Sequence, residues 1–261
     1  MSLPAYSALF WVTAVLAVLL IGVSKAGFGG GTGIIATPLL ALTIPVTDAA
    51  ALLLPILIIA DLFSLYHYRH QFDSRLIRFM LPSATVGIIL GALFFGTFSR
   101  NEHILKLGIG LLSVLFVLFE LFRTQIFDRL GEKRPGITTG IFFSGLAGFT
   151  STLAHAGGPP ATIYLLPQKL PRQMFVGTSV VFFTAVNLIK LIPYSYLNLL
   201  RVGNLTTILI LSPLAYVGVG LGIYLNRRFT DKWFNRLIYT LLFLTGIQLI
   251  LATNLLDSWL R

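Results

Sequence analysis

Two short glycine-rich stretches hold the side chains best suited to chemistry. The first, SKAGFGGGTGIIATPLL, carries Ser24, Lys25, Gly29, Gly30, Gly31 and Thr32, and the second, STLAHAGGPPATIYLL, carries Ser151, Thr152, His155, Gly157 and Gly158. A cationic or protonatable group, Lys25 in one and His155 in the other, precedes each glycine run, and hydroxyl donors stand beside it. Glycine lets a ligand approach the backbone, a broken helix frees amide N–H groups, and a helix N-terminus carries about half a positive charge. Such a pair suits an anion that has shed its water. Asp61, Asn187 and Lys190 interrupt otherwise apolar stretches. A charge at the centre of a membrane helix costs roughly 2.5 to 3.5 kcal/mol on insertion scales, so it faces a partner or a wet path. Asn187 and Lys190 extend the anion site on this reading, and Asp61 is a candidate for proton coupling. An Asp61–Lys190 ion pair that only fixes helix packing is the structural alternative.

Other chemistries are poorly served. The chain has no cysteine, which excludes disulfides and thiolate sites. No Gly-Lys-Ser/Thr ending follows the glycines, as a phosphate-binding loop requires. Histidines at ligand spacing on one helix and paired carboxylates within the apolar stretches are both missing, so neither a metal nor another cofactor is expected. His67, His70 and His103 sit beside Arg69, Asp73 and Arg100 and read as solvated, and Glu120 reads as interfacial. An intramembrane enzyme would have to use Ser24 or Ser151 with His155. A channel-like facilitator and a membrane scaffold without transport are the other competing classes.

The elements that position these residues are membrane helices. Of 261 residues, 56% are hydrophobic and 11% charged, against about 25% charged in an ordinary soluble domain. Eight long apolar segments are expected, near residues 7–24, 49–66, 76–98, 103–122, 137–153, 173–197, 204–225 and 235–256. About 20 residues at 1.5 Å each cross a hydrocarbon core of about 30 Å. The stretches 30–44 and 157–168 are too short and too rich in Gly and Pro to be ordinary spanning helices. The N-terminal run lacks a basic flank and a small-residue cleavage site, so it reads as a helix and not as a signal peptide. Trp11, Trp233 and Trp259 fall near segment ends, where interfacial anchors belong.

Two halves are apparent, 7–122 and 137–256, within a single transmembrane domain 1–261 and joined by a cytoplasmic loop 123–136. Pro45, Ala60 and Asp61 align with Pro171, Val186 and Asn187 at one spacing, which also matches Gly31 to Gly157; Pro82, Gly87 and Gly91 align with Pro213, Gly218 and Gly222 at a slightly longer one. The last two glycine pairs form small-xxx-small faces inside long helices and read as packing. The net charge of +10 is spread over connectors, so it reports topology and not nucleic-acid binding. With eight crossings Lys and Arg divide evenly between the two sides; with ten, one side keeps only Arg100, Lys106, Arg201 and Arg261. The expected fold is therefore an all-α integral membrane protein of about ten segments in two inverted five-segment repeats.

The stretches GFGGGTGIIATPLLAL and AGFTSTLAHAGGPPATIYLLPQKLPRQMFVGTSVVFFTAVNLIKLIPY resemble the TauE/SafE family of sulfite exporters, also called TSUP permeases. The resemblance covers essentially the whole chain. It implies a multi-pass carrier of the plasma membrane, a bacterium's inner membrane, that moves sulfite, a sulfonate or a related organosulfur anion and is driven by an ion gradient. Its expected partners are the small anionic substrate and the lipid bilayer; a homo-oligomer is compatible with it.

Overall fold

Backbone polar groups in lipid must be satisfied within the chain, and these apolar segments do so as helices. The computed structural model describes residues 6–28, 33–98, 101–130, 134–200, 205–228 and 231–259. In order, the helices are α1 (Ala8–Phe28), α2 (Ala36–Ala41), α3 (Val46–Tyr68), α4 (Ser74–Phe98), α5 (Glu102–Leu130), α6 (Ile137–Ala154), α7 (Gly158–Leu165), α8 (Arg172–Tyr196), α9 (Leu205–Arg228) and α10 (Asp231–Trp259). Among the described residues seven helices are long and apolar enough to span a membrane, namely α1, α3, α4, α5, α6, α8 and α9. The expected eighth segment is α10, 29 residues long, with Ile238–Leu251 as its apolar stretch.

Both short segments fold as expected into fragments. A 3-10 turn at Gly33–Ile35 leads into α2, and α7 leads into a 3-10 turn at Leu166–Gln168. With 6 and 8 residues, α2 and α7 extend about 9 and 12 Å, well short of a bilayer core. One boundary differs from expectation. Residues 123–130 of the anticipated connector continue α5 to Leu130, because a polar sequence without Pro or Gly can prolong a helix past the hydrocarbon edge.

Each half has the order long, short, long, long, long, and the packing repeats with it. α1 lies along α9 and α4 lies along α6; α3 meets α8, and α5 meets α10. Exchanging the halves turns each of the first two pairs into the other and each of the last two into itself. Close backbone approach sets the first two contacts. A Cβ added to Gly22 would lie 2.7 Å from the Gly218 carbonyl carbon, and one on Gly87 only 1.9 Å from the Gly145 oxygen. The small-residue faces are therefore packing surfaces, as the sequence indicates.

α3 and α8 form the centre. In each, 61% of the spanning residues are buried, against 33% in α4 and α5 and 28% in α9. The outer helices point Leu90, Leu93, Leu121, Phe142 and Leu209 outward. In water so many exposed apolar groups would drive aggregation; against lipid they cost nothing.

Candidate functional site

The charged residues meet where the two central helices cross the ends of α1 and α6. Lys25 lies in the last turn of α1, and Ser151 and Thr152 lie in the last turn of α6. Cations belong at such ends, where free carbonyls carry roughly half a negative charge. Asp61 reaches in from α3, Asn187 and Lys190 from α8. All are closed off from solvent: exposure is 0% for Lys190, 1% for Asp61, 3% for Asn187 and 7% for Lys25.

Two linked clusters result. In the first, Lys25 Nζ forms an ion pair with Asp61 Oδ1 and donates to the Leu57 carbonyl at 3.3 Å. Asn187 Nδ2 donates to Asp61 Oδ2 at 2.6 Å, so both carboxylate oxygens accept. In the second, Lys190 Nζ donates to the Ser151 carbonyl at 3.0 Å, to Ser151 Oγ at 3.0 Å and to His155 Nδ1 at 2.8 Å. Three acceptors match the three donors of an ammonium. His155 closes α6 in the left-handed conformation, φ 52°, which turns its ring toward α3; there Nε2 donates to the Ala50 carbonyl at 2.9 Å.

The Asp61–Lys190 pair of the structural alternative is thus not formed, and Asp61 pairs with Lys25 instead. Lys190 has only neutral acceptors, and among the described residues no carboxylate is within salt-bridge distance of it. Lys25 is matched by Asp61, whereas Lys190, wholly buried, is held by neutral acceptors.

The repeat passes through this site. Asp61 and Asn187 occupy matching positions 126 residues apart, yet they touch. A residue contacts its own symmetry mate only on the axis between the halves. The same 126-residue spacing pairs Lys25 with Ser151 and Ser64 with Lys190. Each half thus contributes one lysine and one serine, on exchanged helices. Tyr68 donates to the Ala26 carbonyl at 2.9 Å and Tyr194 to the Thr152 carbonyl at 2.7 Å, both across 42 residues. These two bonds are copies of each other.

The remaining expected site residues divide. Ser24 is buried beside Lys25. The Thr152 hydroxyl bonds back to the Gly148 carbonyl at 2.9 Å and is spent within α6. Gly157 lets α7 approach α6: an added Cβ would lie 2.6 Å from the Ala147 oxygen and 3.0 Å from Ser151 Cβ. At the start of α7, Pro159 and Pro160 have no N–H and the Ala161 N–H bonds to the Gly157 carbonyl at 3.2 Å. Amides for a ligand at this end come down to Gly157 and Gly158. Gly29, Gly30, Gly31 and Thr32 lie outside the described residues.

Sequence reasoning missed Tyr68 and Tyr194, although each completes a stripe on its helix, Asp61-Ser64-Tyr68 and Asn187-Lys190-Tyr194. It also missed Thr37 of α2, fully buried with a hydroxyl that finds no hydrogen-bond partner among the described residues. The Ala50 and Leu57 carbonyls carry no side-chain signal at all.

Fold and site together define a multi-pass helical membrane protein whose two similar halves meet around the buried residues Lys25, Asp61, Asn187 and Lys190. The family model for the sulfite exporter TauE/SafE matches residues 14–249, and the chain belongs to that family of membrane transporters. Neither a curated protein nor a solved structure matches the chain.

Proposed function

We propose that this protein is a secondary carrier of a small anion, namely sulfite, a sulfonate or a related organosulfur anion, in the plasma membrane. The observation that carries this reading is Lys190, a fully buried lysine with no carboxylate partner among the described residues. An ion held in low dielectric without a counter-charge is costly, and a mobile anion beside Lys190 removes that cost. The name of the family supports sulfur oxyanions as the class. In the proposal, Lys190 attracts the anion, the Gly157 and Gly158 amides and the Ser151 hydroxyl line its seat, and the Lys25–Asp61–Asn187 group joins the halves at their axis. The halves are taken as inverted repeats, since five segments each reverse the direction of the second. Rocking of one half against the other about the Asp61–Asn187 contact then exposes the centre to either side.

A carrier is favoured over an open facilitator because Lys25, Asp61, Asn187 and Lys190 are closed to solvent. Counterflow of labelled sulfite in proteoliposomes decides between them. A carrier accumulates label transiently against unlabelled sulfite on the other side, and a pore does not. Absence of any sulfite movement would remove this reading altogether.

A further inference from the structure

We propose that His155 and Lys190 hold a single proton between them and that this pair couples anion movement to protons, an inference that rests on the anion-carrier reading above. The bonding partners fix the tautomer. A carbonyl can only accept, so His155 Nε2, 2.9 Å from the Ala50 oxygen, bears a hydrogen. A neutral ring then presents Nδ1 as an acceptor, and Lys190 Nζ donates to it at 2.8 Å. A second proton on Nδ1 would set N–H against ammonium at that separation, two donors face to face. While the contact lasts, the pair carries at most one positive charge.

The surroundings from every side keep it so. Lys190 of α8 faces the ring directly, and Lys25 of α1 is held by Asp61. Tyr194 of α8 packs its ring 6.2 Å from the imidazole. From α3 come the Ala50 carbonyl and Asp61, whose two oxygens are taken by Lys25 and Asn187. Asp61, the candidate for coupling in the sequence, has both oxygens engaged here, so the proposal places the titration elsewhere. The titrating group is His155.

An anion breaks the balance. A negative charge is a stronger acceptor than a neutral ring nitrogen and draws Lys190 Nζ off His155. Nδ1 is then open and takes up a proton from the water that admitted the anion, so neutral imidazole becomes imidazolium. No other bond is made or broken. Release of the anion returns the ammonium toward Nδ1 and expels that proton. Binding of the anion and of the proton therefore help each other, and by linkage the effect is reciprocal. For a singly charged anion, anion and proton together are electroneutral.

Nitrogen NMR of the full chain in detergent, with 15N-labelled histidine, tests this directly. Of four histidines, His155 is assigned by the signal lost in His155→Asn, a substitution suited to the site because asparagine tolerates a left-handed backbone. Without anion at about pH 7, the His155 ring is expected as neutral imidazole protonated at Nε2. With saturating sulfite it becomes imidazolium. An imidazolium or an Nδ1-protonated ring before sulfite is added would overturn the proposal. So would a spectrum that sulfite leaves unchanged in protein that exchanges sulfite in proteoliposomes, and that result leaves the carrier reading intact. Protein that neither responds to nor exchanges sulfite sinks the carrier reading and this inference with it.

Discussion

The two halves bring the same tools to the axis and use them differently. In the first, Lys25 at the end of α1 meets a carboxylate, Asp61. In the second, Ser151 takes the place of Lys25, Asn187 takes the place of Asp61, and the lysine has moved to α8 as Lys190, where only neutral groups receive it. One lysine is thus part of the frame. The other has no carboxylate partner among the described residues, and the proposal assigns it to the anion. Near-symmetry supplies a shared axis, and the departure from symmetry at these positions leaves one lysine paired with a carboxylate and the other with neutral groups.

Substitutions can break this contrast. The largest expected effect is on stability: Lys25→Met strands the Asp61 carboxylate and costs about 3 to 5 kcal/mol, seen as a lower unfolding temperature in detergent. Adding Asp61→Asn restores most of that loss, since the double variant leaves no orphan ion. Lys190→Met removes a group with no carboxylate partner among the described residues and strands no ion, so the fold tolerates it far better than Lys25→Met. Sulfite exchange, by contrast, falls at least about 30-fold, the equivalent of roughly 2 kcal/mol. Arg75→Ala, exposed at the start of α4, serves as the control and leaves exchange unchanged.

Smaller effects sharpen the packing side of the comparison. Gly148→Ala forces a Cβ to within 2.0 Å of the Ala84 oxygen and costs about 1 to 3 kcal/mol, while Gly220→Ala, with open space around it, costs nothing measurable. Tyr68→Phe and Tyr194→Phe each remove one of the two matching bonds to a carbonyl. Equal losses of about 1 kcal/mol in thermal unfolding are expected, and unequal ones would show that the halves carry different loads there.

Much of this was legible in the sequence. Apolar length marked the helices, and Gly and Pro marked the two fragments, because both signals are local. Asp61, Asn187 and Lys190 stood out because a polar group in lipid must have a reason. Their partners were not legible. Whether Lys25 or Lys190 reaches Asp61 depends on the depth at which α1 ends beside α3, which no pattern within either helix records. The left-handed turn at His155 aims its ring at a backbone carbonyl, an acceptor that every residue owns and that no spacing singles out. The consequence of Pro159 and Pro160 was available and went unused: two prolines at the start of α7 remove amides that an anion seat would need. The site consequently leans on side-chain charge more than on helix ends.

The most direct test of Lys190 as the anion's anchor is sulfite counterflow in proteoliposomes for two variants of unlike design. Lys25→Met with Asp61→Asn keeps the single excess charge and should still exchange. Lys190→Met lacks that charge and should not. Exchange by Lys190→Met at the wild-type rate would contradict the assignment.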